Sequence, residues 1–315
     1  MPTAAESSPP VDEGRRAHFG DFYDSARTVA DGAELLLVHG NCQAESLRIV
    51  LEGDDVRAVR MPPVHELTAD DVPHLLRLLG ATRHLVTQPV RDDYRGLPIG
   101  TGQLATALPP GATTLLVPVI RVAGLYPTHV LVRPTSDPGL SPPVVPYHDL
   151  RTLLAASDPS HADDHLARVP TVDQVRAVAA GSQEQLRRRE RDHGTVVVSD
   201  LLDRPTFADA RTLNHPGNPV WRELAHRVRE RLGLAPGWQD PGRPLLDHLH
   251  APRLASVVEA FDPGSAPTDH WLVDGVALPD QDVRRAHLDW YGRHPDVVEQ
   301  GLERHRPTLD LLGLR

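Results

Sequence analysis

Three features of this 315-residue chain predict an α/β fold: a layered, mainly parallel sheet flanked by helices, with a mostly helical C-terminal extension. Short apolar runs of strand length alternate with segments whose apolar residues recur at helical spacing. The first such run, Leu35 to Val38, breaks at His39-Gly40-Asn41 and passes straight into a helical pattern, the connection of a parallel layer fold. Beyond about residue 235 the pattern changes to Pro/Gly-rich loops between short helices.

Residues 1–30 read as a flexible, polar lead-in in which Phe19, Phe22 and Tyr23 dock a short helix. The first strand and a helix beginning at Cys42 follow, with Ala44, Leu47 and Leu51 on its apolar face. Val56 to Met61 is a second strand, ended by Pro62-Pro63. Ala69 to Leu79 is a helix whose first turn carries Asp70 and Asp71, favourable against the helix dipole. His84 to Thr87 is a third strand, Gln88 to Thr101 a polar loop, Leu104 to Ala107 a helix end, and Thr113 to Val119 a fourth strand. Arg133 to Pro146 is proline-rich and irregular. Thr171 to Asp192 is one long charged helix, and its Arg187 to Arg191 run is a solvated face. Thr195 to Ser199 reads as a further β-run. A helix opens at Asn218 or Pro219 and stops at Gly233; two more cover Gln281 to Tyr291 and Pro295 to Glu303. The expected organisation is thus a lead-in (1–30), a catalytic α/β domain (31–235) and an extension (236–315) packed on the same domain.

The formal net charge of −10 argues against general binding to nucleic acid or anionic membranes. No segment reaches the ~18 uninterrupted apolar residues of a membrane span. Residues 1–13 lack the basic start and apolar core of a signal peptide, so a cytoplasmic location is expected. One cysteine excludes an intramolecular disulfide framework and a multi-cysteine zinc site. His148-Asp149 and His248 to His250 sit in no recognised ligand pattern, so no metal is expected. All 33 basic residues are arginine, which removes lysine-dependent covalent catalysis and leaves phosphate recognition to arginine, backbone amides and hydroxyls.

Cys42 is the residue that these exclusions favour. A lone cysteine is ordinarily an inert core residue. This one stands where a strand enters a helix, and a helix N-terminus favours both a thiolate and an oxyanion beside it. Sites in parallel α/β sheets form at the carboxyl ends of strands. His39 to Gln43 and Thr87 to Gly96 both fall there, and His65 follows the second strand closely. Gln88, Tyr94 and Arg95 lie in the second of these loops and can bond a ligand. Among 18 histidines, His215 is the first choice for a base, because Pro216 and Gly217 force a turn just before a helix.

Gly40-Asn41-Cys42-Gln43 resembles the opening motif of the WcbI family, coenzyme A-dependent acetyltransferases of capsule polysaccharide biosynthesis. Pro62-Pro63-Val64-His65-Glu66-Leu67 and Thr87 through Gly96 fit the same pattern, as do Val117-Pro118, Gly124-Leu125-Tyr126-Pro127 and Asn214-His215-Pro216-Gly217-Asn218. These span residues 34 to 235. The nucleophile's place also resembles that in SGNH-type hydrolases, and an SGNH- or flavodoxin-like arrangement is compatible with the strand pattern, an analogy of fold alone. The resemblance implies acyl transfer from acetyl-CoA to a sugar or small metabolite, with coenzyme A as substrate and no metal. The expected catalytic residues are Cys42, His215, His65 and His39. Asn41, Gln43, Gln88, Arg91, Tyr94, Arg95 and Asn214 are the expected coenzyme A contacts, with Arg91 and Arg95 on its phosphates. A cysteine thioesterase or amidase, and a non-catalytic coenzyme A-binding protein, are the competing readings.

Overall fold

Five consecutive residues, Leu35 to His39, are buried on both faces, which requires a central strand covered by helices on each side. In the computed structural model, which describes residues 13–30, 34–137 and 139–314, this strand (β1) is central to a four-stranded sheet. Its partners are β2 (Arg57–Val59), β3 (Thr82–Thr87) and β4 (Thr113–Leu116), in the order β2-β1-β3-β4 and all parallel. The predicted α/β class and its parallel sheet are therefore present. β4 ends three residues earlier than predicted.

The chain divides into two compact units. The first comprises residues up to 119 together with 189–198 and 221–243, and it holds this sheet. Helices α1 (Glu13–His18), α2 (Gly20–Tyr23) and α3 (Ser25–Ala30) occupy the described part of the lead-in, where the sequence predicted one short helix. Residues 1–12 lie outside the described residues. Phe19, Phe22 and Tyr23 enter the core formed by Leu35, Leu37, Leu75, Leu78, Leu79 and Leu85. Helix α4 (Gln43–Leu51) follows β1 and buries Ala44, Leu47, Val50 and Leu51. α5 (Val72–Leu79) follows a capping box in which the Asp71 carboxylate accepts from the Thr68 amide at 2.9 Å and its hydroxyl at 3.0 Å. α6 (Thr101–Thr106) leads into β4.

The second unit comprises residues 120–188, 199–220 and 244–315. Two-residue strands β5 (His129–Val130) and β6 (His148–Asp149) pair antiparallel before α7 (Leu150–Ser157) and α8 (Ala162–Ala167). The long helix α9 covers Val172–His193, as predicted. Strands β7 (Ala210–Thr212) and β8 (His215–Pro216) form a tight antiparallel pair; α10 (Asn218–Leu232) follows in sequence and from residue 221 belongs to the first unit. Strand β9 (Leu249–His250), helix α11 (Ala255–Phe261), strands β10 (His270–Val273) and β11 (Val276–Pro279), and helices α12 (Asp280–Tyr291), α13 (Pro295–Arg304) and α14 (Arg306–Leu311) complete the chain.

Two predictions need correction. Thr195 to Val198 is irregular chain and no strand; Val196 is bonded to the neighbouring β4, its amide donating to the Leu116 carbonyl at 2.8 Å. The C-terminal part is mostly helical as expected, yet it also carries the antiparallel sheet β11-β10-β9, which the sequence reading missed.

Candidate active site

The turn between β1 and α4 is built around Gln88. A Cβ on Gly40 would lie 2.6 Å from the Gln88 side-chain oxygen, so only glycine lets the glutamine pack against this turn. Gln88 Oε1 accepts the Asn41 amide at 2.9 Å, and Gln88 Nε2 donates to Gln43 Oε1 at 3.3 Å. The Asn41 side chain, one residue before the N-cap, accepts the Gln43 amide at 2.9 Å. Cys42 occupies the N-cap position and is half-buried.

Three loops meet here, one after each of β1, β2 and β3. The Val64 amide donates to the Gly40 carbonyl at 2.7 Å, joining the second loop to the Cys42 turn. Arg95 donates to the His65 carbonyl at 2.6 Å, joining the third loop to the second. Thr101 fastens the third loop further: its hydroxyl donates to the Gln88 carbonyl at 3.0 Å and accepts the Val90 amide at 3.0 Å.

The cleft beside Cys42 has a volume of about 290 Å³. Asn41, Cys42 and Glu45 form one wall; Arg60, Met61, Pro63 and Glu66 form another; His18 and Phe19 close it. Glu45 is ion-paired with Arg48 at 2.9 Å and Arg60 at 3.2 Å. The Arg60 and Arg15 guanidiniums lie 5.7 and 5.6 Å from the centre of the Phe19 ring. Arg15 also bonds the Glu66 carbonyl at 3.0 Å, Asp71 at 2.9 Å and the Tyr23 hydroxyl at 2.6 Å.

The expected site residues occupy distinct places. Asn41, Cys42, Gln43 and Gln88 are in mutual contact or adjacent, but Gln43 and Gln88 are buried and engaged with each other and with the turn. His39 is fully buried; its Nδ1 lies 3.2 Å from the Thr87 hydroxyl, its Nε2 has no hydrogen-bond partner among the described residues, and burial pushes its pKa down to about 4. Since Thr87 donates to the Gln88 carbonyl at 2.8 Å, its oxygen accepts from His39 and Nδ1 carries the proton. His65 is exposed, 3.8 Å from the Glu66 carboxylate. Arg91 is exposed on the third loop, and Tyr94 leans on the core.

His215 and Asn214 belong to the second unit. His215 is buried, in edge contact with Tyr147 and 5.0 Å from the His248 ring. Burial first, then the neighbouring His248, Arg211 and His250, lowers its pKa to about 3. The Tyr147 hydroxyl donates to Asn214 Oδ1. The turn after His215 is sterically fixed, since a Cβ on Gly217 would collide with the Ala208 carbonyl.

His148 and Asp149 have other partners. Asp149 is a buried acceptor for Arg151 at 2.6 Å and Thr128 at 3.0 Å, and His148 bonds the Tyr291 hydroxyl at 2.7 Å. Among the described residues no group of three or more His, Cys, Asp or Glu is placed to hold a metal, and no helix is long and apolar enough to cross a membrane.

Sequence reasoning missed His18, Phe19, Glu45, Arg60 and Glu66. Glu45 carried a signal, one helical turn beyond Cys42 on the same face. His18 and Phe19 carried none, because long-range contacts of Arg15, Arg60 and the core bring them to the cleft.

The family model described as "Polysaccharide biosynthesis enzyme WcbI" matches residues 35–237, about two thirds of the chain. A solved structure described as "Structural insights into WcbI, a novel polysaccharide biosynthesis enzyme", of the native protein without a disulfide bond between coenzyme A and one of its cysteines, superposes with a TM-score of 0.73. It is 20% identical, and the match covers 90% of this chain and 99% of that one. At that identity the likeness establishes a shared fold. No curated protein matches the chain. With the family's region spanning the Cys42 turn, all four strands of the parallel sheet and the His215 turn, the chain belongs to the WcbI family of polysaccharide biosynthesis enzymes.

Proposed function

We propose that this protein transfers an acyl group, in the simplest case acetyl, from coenzyme A to a hydroxyl or amine of a sugar or small metabolite, with Cys42 at the transfer centre. The observation that carries this reading is the Cys42 turn: a half-buried thiol at a helix N-terminus, facing a cleft and held by the buried Gln88. The related structure, described as lacking a disulfide bond between coenzyme A and one of its cysteines, supports coenzyme A as the proposed ligand.

The chemistry balances in two steps. The Cys42 thiolate adds to the thioester carbonyl, and collapse breaks the bond to the coenzyme A sulfur, which leaves as a thiol after taking a proton. The acceptor oxygen or nitrogen then attacks the acyl-cysteine, gives its proton to a base, and releases Cys42. An oxyanion at that carbon needs donors near the start of α4. The Gln43 amide is already committed to Asn41 Oδ1, so the Asn41 side-chain amide is the proposed donor.

A cleft of about 290 Å³ is at the lower limit of ~300–1,000 Å³ for small-molecule pockets, so it takes the reacting end and one further group, not the whole of coenzyme A. The phosphates would lie outside it, with Arg91 and Arg95 on the third loop as their proposed partners. For the base, the imidazole on the cleft wall is His18, and His65 lies on the adjoining loop. His39 and His215, pushed down to about 4 and about 3, are neutral at pH 7 but weak as bases. His39 is better suited to bracing Thr87 beside Gln88, and His215 to bracing the β8 turn.

Incubation with acetyl-CoA followed by intact-mass measurement tests the reading. An added acetyl group on the wild type, absent from Cys42→Ser, is the expected result; coenzyme A release at an unchanged rate in that variant would overturn the nucleophile. Acyl-CoA hydrolysis that proceeds equally with and without any acceptor would favour the thioesterase alternative.

A further inference from the structure

The cleft beside Cys42 differs from a phosphate-binding site in one respect: its charges oppose one another. Arg60, the cation on its wall, faces Glu45 at 3.2 Å, and Glu45 is also held by Arg48. Glu66 lies 3.7 Å from Arg15, which is itself bonded to Asp71. A paired guanidinium and carboxylate present hydrogen-bond donors and acceptors side by side with little net charge. That is the surface on which vicinal hydroxyls are recognised, and a phosphate or carboxylate ligand would meet Glu45 and Glu66 as like charges.

Its boundary is also unusual. The family's matched region begins at residue 35, yet His18 and Phe19, from the α1–α2 corner, close the cleft. That corner is latched down by Arg15, whose guanidinium reaches the Tyr23 hydroxyl, the Asp71 carboxylate and the Glu66 carbonyl together. His18 packs edge-on against Phe19 with ring centres 4.6 Å apart. A wall supplied from outside the matched region is free to set which ligand this particular chain admits.

We propose that this cleft is the acceptor subsite, that it admits one uncharged, hydroxyl-bearing ring, and that His18 and Phe19 set its selectivity. The assignment rests on the acyl-transfer reading only for the word acceptor; ring binding stands independently of it. Glu45 and Arg60 bond neighbouring hydroxyls, Phe19 offers an apolar floor, and the ring's nucleophilic group faces Cys42.

Cys42 is the chain's single cysteine, so its alkylation by iodoacetamide, followed by intact mass, reports on this cleft alone. The probes are the methyl pyranosides of glucose, galactose and mannose, with glucuronate and glucosamine as charged counterparts. At least one methyl pyranoside is expected to slow alkylation up to about threefold at a concentration of about twice its Kd, with glucuronate protecting less. His18→Ala, a change at an exposed position, is expected to weaken that protection or move it to a different pyranoside. Absence of protection by all three methyl pyranosides overturns the proposal, as does stronger protection by glucuronate, or protection untouched in both His18→Ala and Glu45→Gln. Calorimetric titration with coenzyme A separates the two readings. Pyranoside protection without coenzyme A binding fails the acyl-CoA assignment alone, and the converse fails the ring subsite alone.

Discussion

Gln88 holds the reactive turn without reaching the cleft. Its side chain is spent on the Asn41 amide and on Gln43, and its backbone amide donates to the His39 carbonyl at 2.9 Å. It is therefore a positioning residue for Cys42. Gln88→Glu keeps an acceptor for Asn41 but loses the donor to Gln43 and adds a negative charge beside the start of α4. That charge opposes thiolate formation, as a helix N-terminus favours it. The expected result is iodoacetamide alkylation of Cys42 slowed about threefold to tenfold at pH 7, with its pH profile moved upward. Gln88→Leu, which adds no charge, should lower activity without moving the profile in that direction. A profile identical in wild type and Gln88→Glu would remove Gln88 from any influence on the thiol.

Helices α1 and α2 depend on Asp71 as much as on their own apolar residues. Asp71 closes, through Thr68, the capping box of the short 3-10 turn that leads into α5, and receives both Arg15 and the Tyr23 hydroxyl, the latter at 2.7 Å. Despite burial these partners hold its carboxyl below its ordinary range, while burial and the Asp71 bond push the Tyr23 hydroxyl up to about 12. Asp71→Ala removes the cap and strands Arg15 and Tyr23, a loss of about 2–4 kcal/mol by the usual magnitudes for caps and buried polar partners. A matching drop in urea midpoint, with faster Cys42 alkylation as the α1–α2 corner loosens, is the expected outcome; an unchanged midpoint would show the latch to be incidental. This latch also explains why part of the site escaped the sequence. The β1–α4 junction was legible because a buried parallel strand must be continuously apolar and a glycine must break it. The Pro62–Leu67 and Thr87–Gly96 loops were legible because parallel strands share an edge. His18 and Phe19 were not, since a contact between Arg15 and Asp71 has no local pattern. The β10–β11 hairpin did have one: Asp274-Gly275, both at positive φ, is the two-residue turn that joins such strands. It was obscured by strands of only four residues on each side. The error at Thr195 to Val198 is the reverse case, an apolar run that bonds β4 at Val196 and never becomes a ladder.

Histidines tie the stability of the whole molecule to pH. His39 in the first unit and His129, His148 and His215 in the second are buried, and desolvation lowers each pKa, to about 4, 4, 3 and 3 respectively. All four are neutral in the folded chain at pH 5, whereas the unfolded chain protonates them below about 6.5. The unfolded state thus binds more protons between about pH 6.5 and 4, and stability must fall as pH falls across that window. Linkage sets the loss at up to about 2 kcal/mol per imidazole between pH 7 and pH 5, a large share of the ~5–15 kcal/mol that holds a typical domain together. The buried Asp149, held far below the ordinary carboxylate range by Arg151 despite its burial, acts in the same direction but only once unfolded carboxylates begin to titrate near pH 4. The two contributions therefore separate on the pH axis. Urea midpoints measured from pH 7.5 to 4.5 should begin to decline near pH 6.5, well before carboxylate titration. A midpoint that stays level down to pH 5 would mean that these imidazoles accept protons in the folded state, and would contradict the burial of His39 that underlies its role beside Gln88.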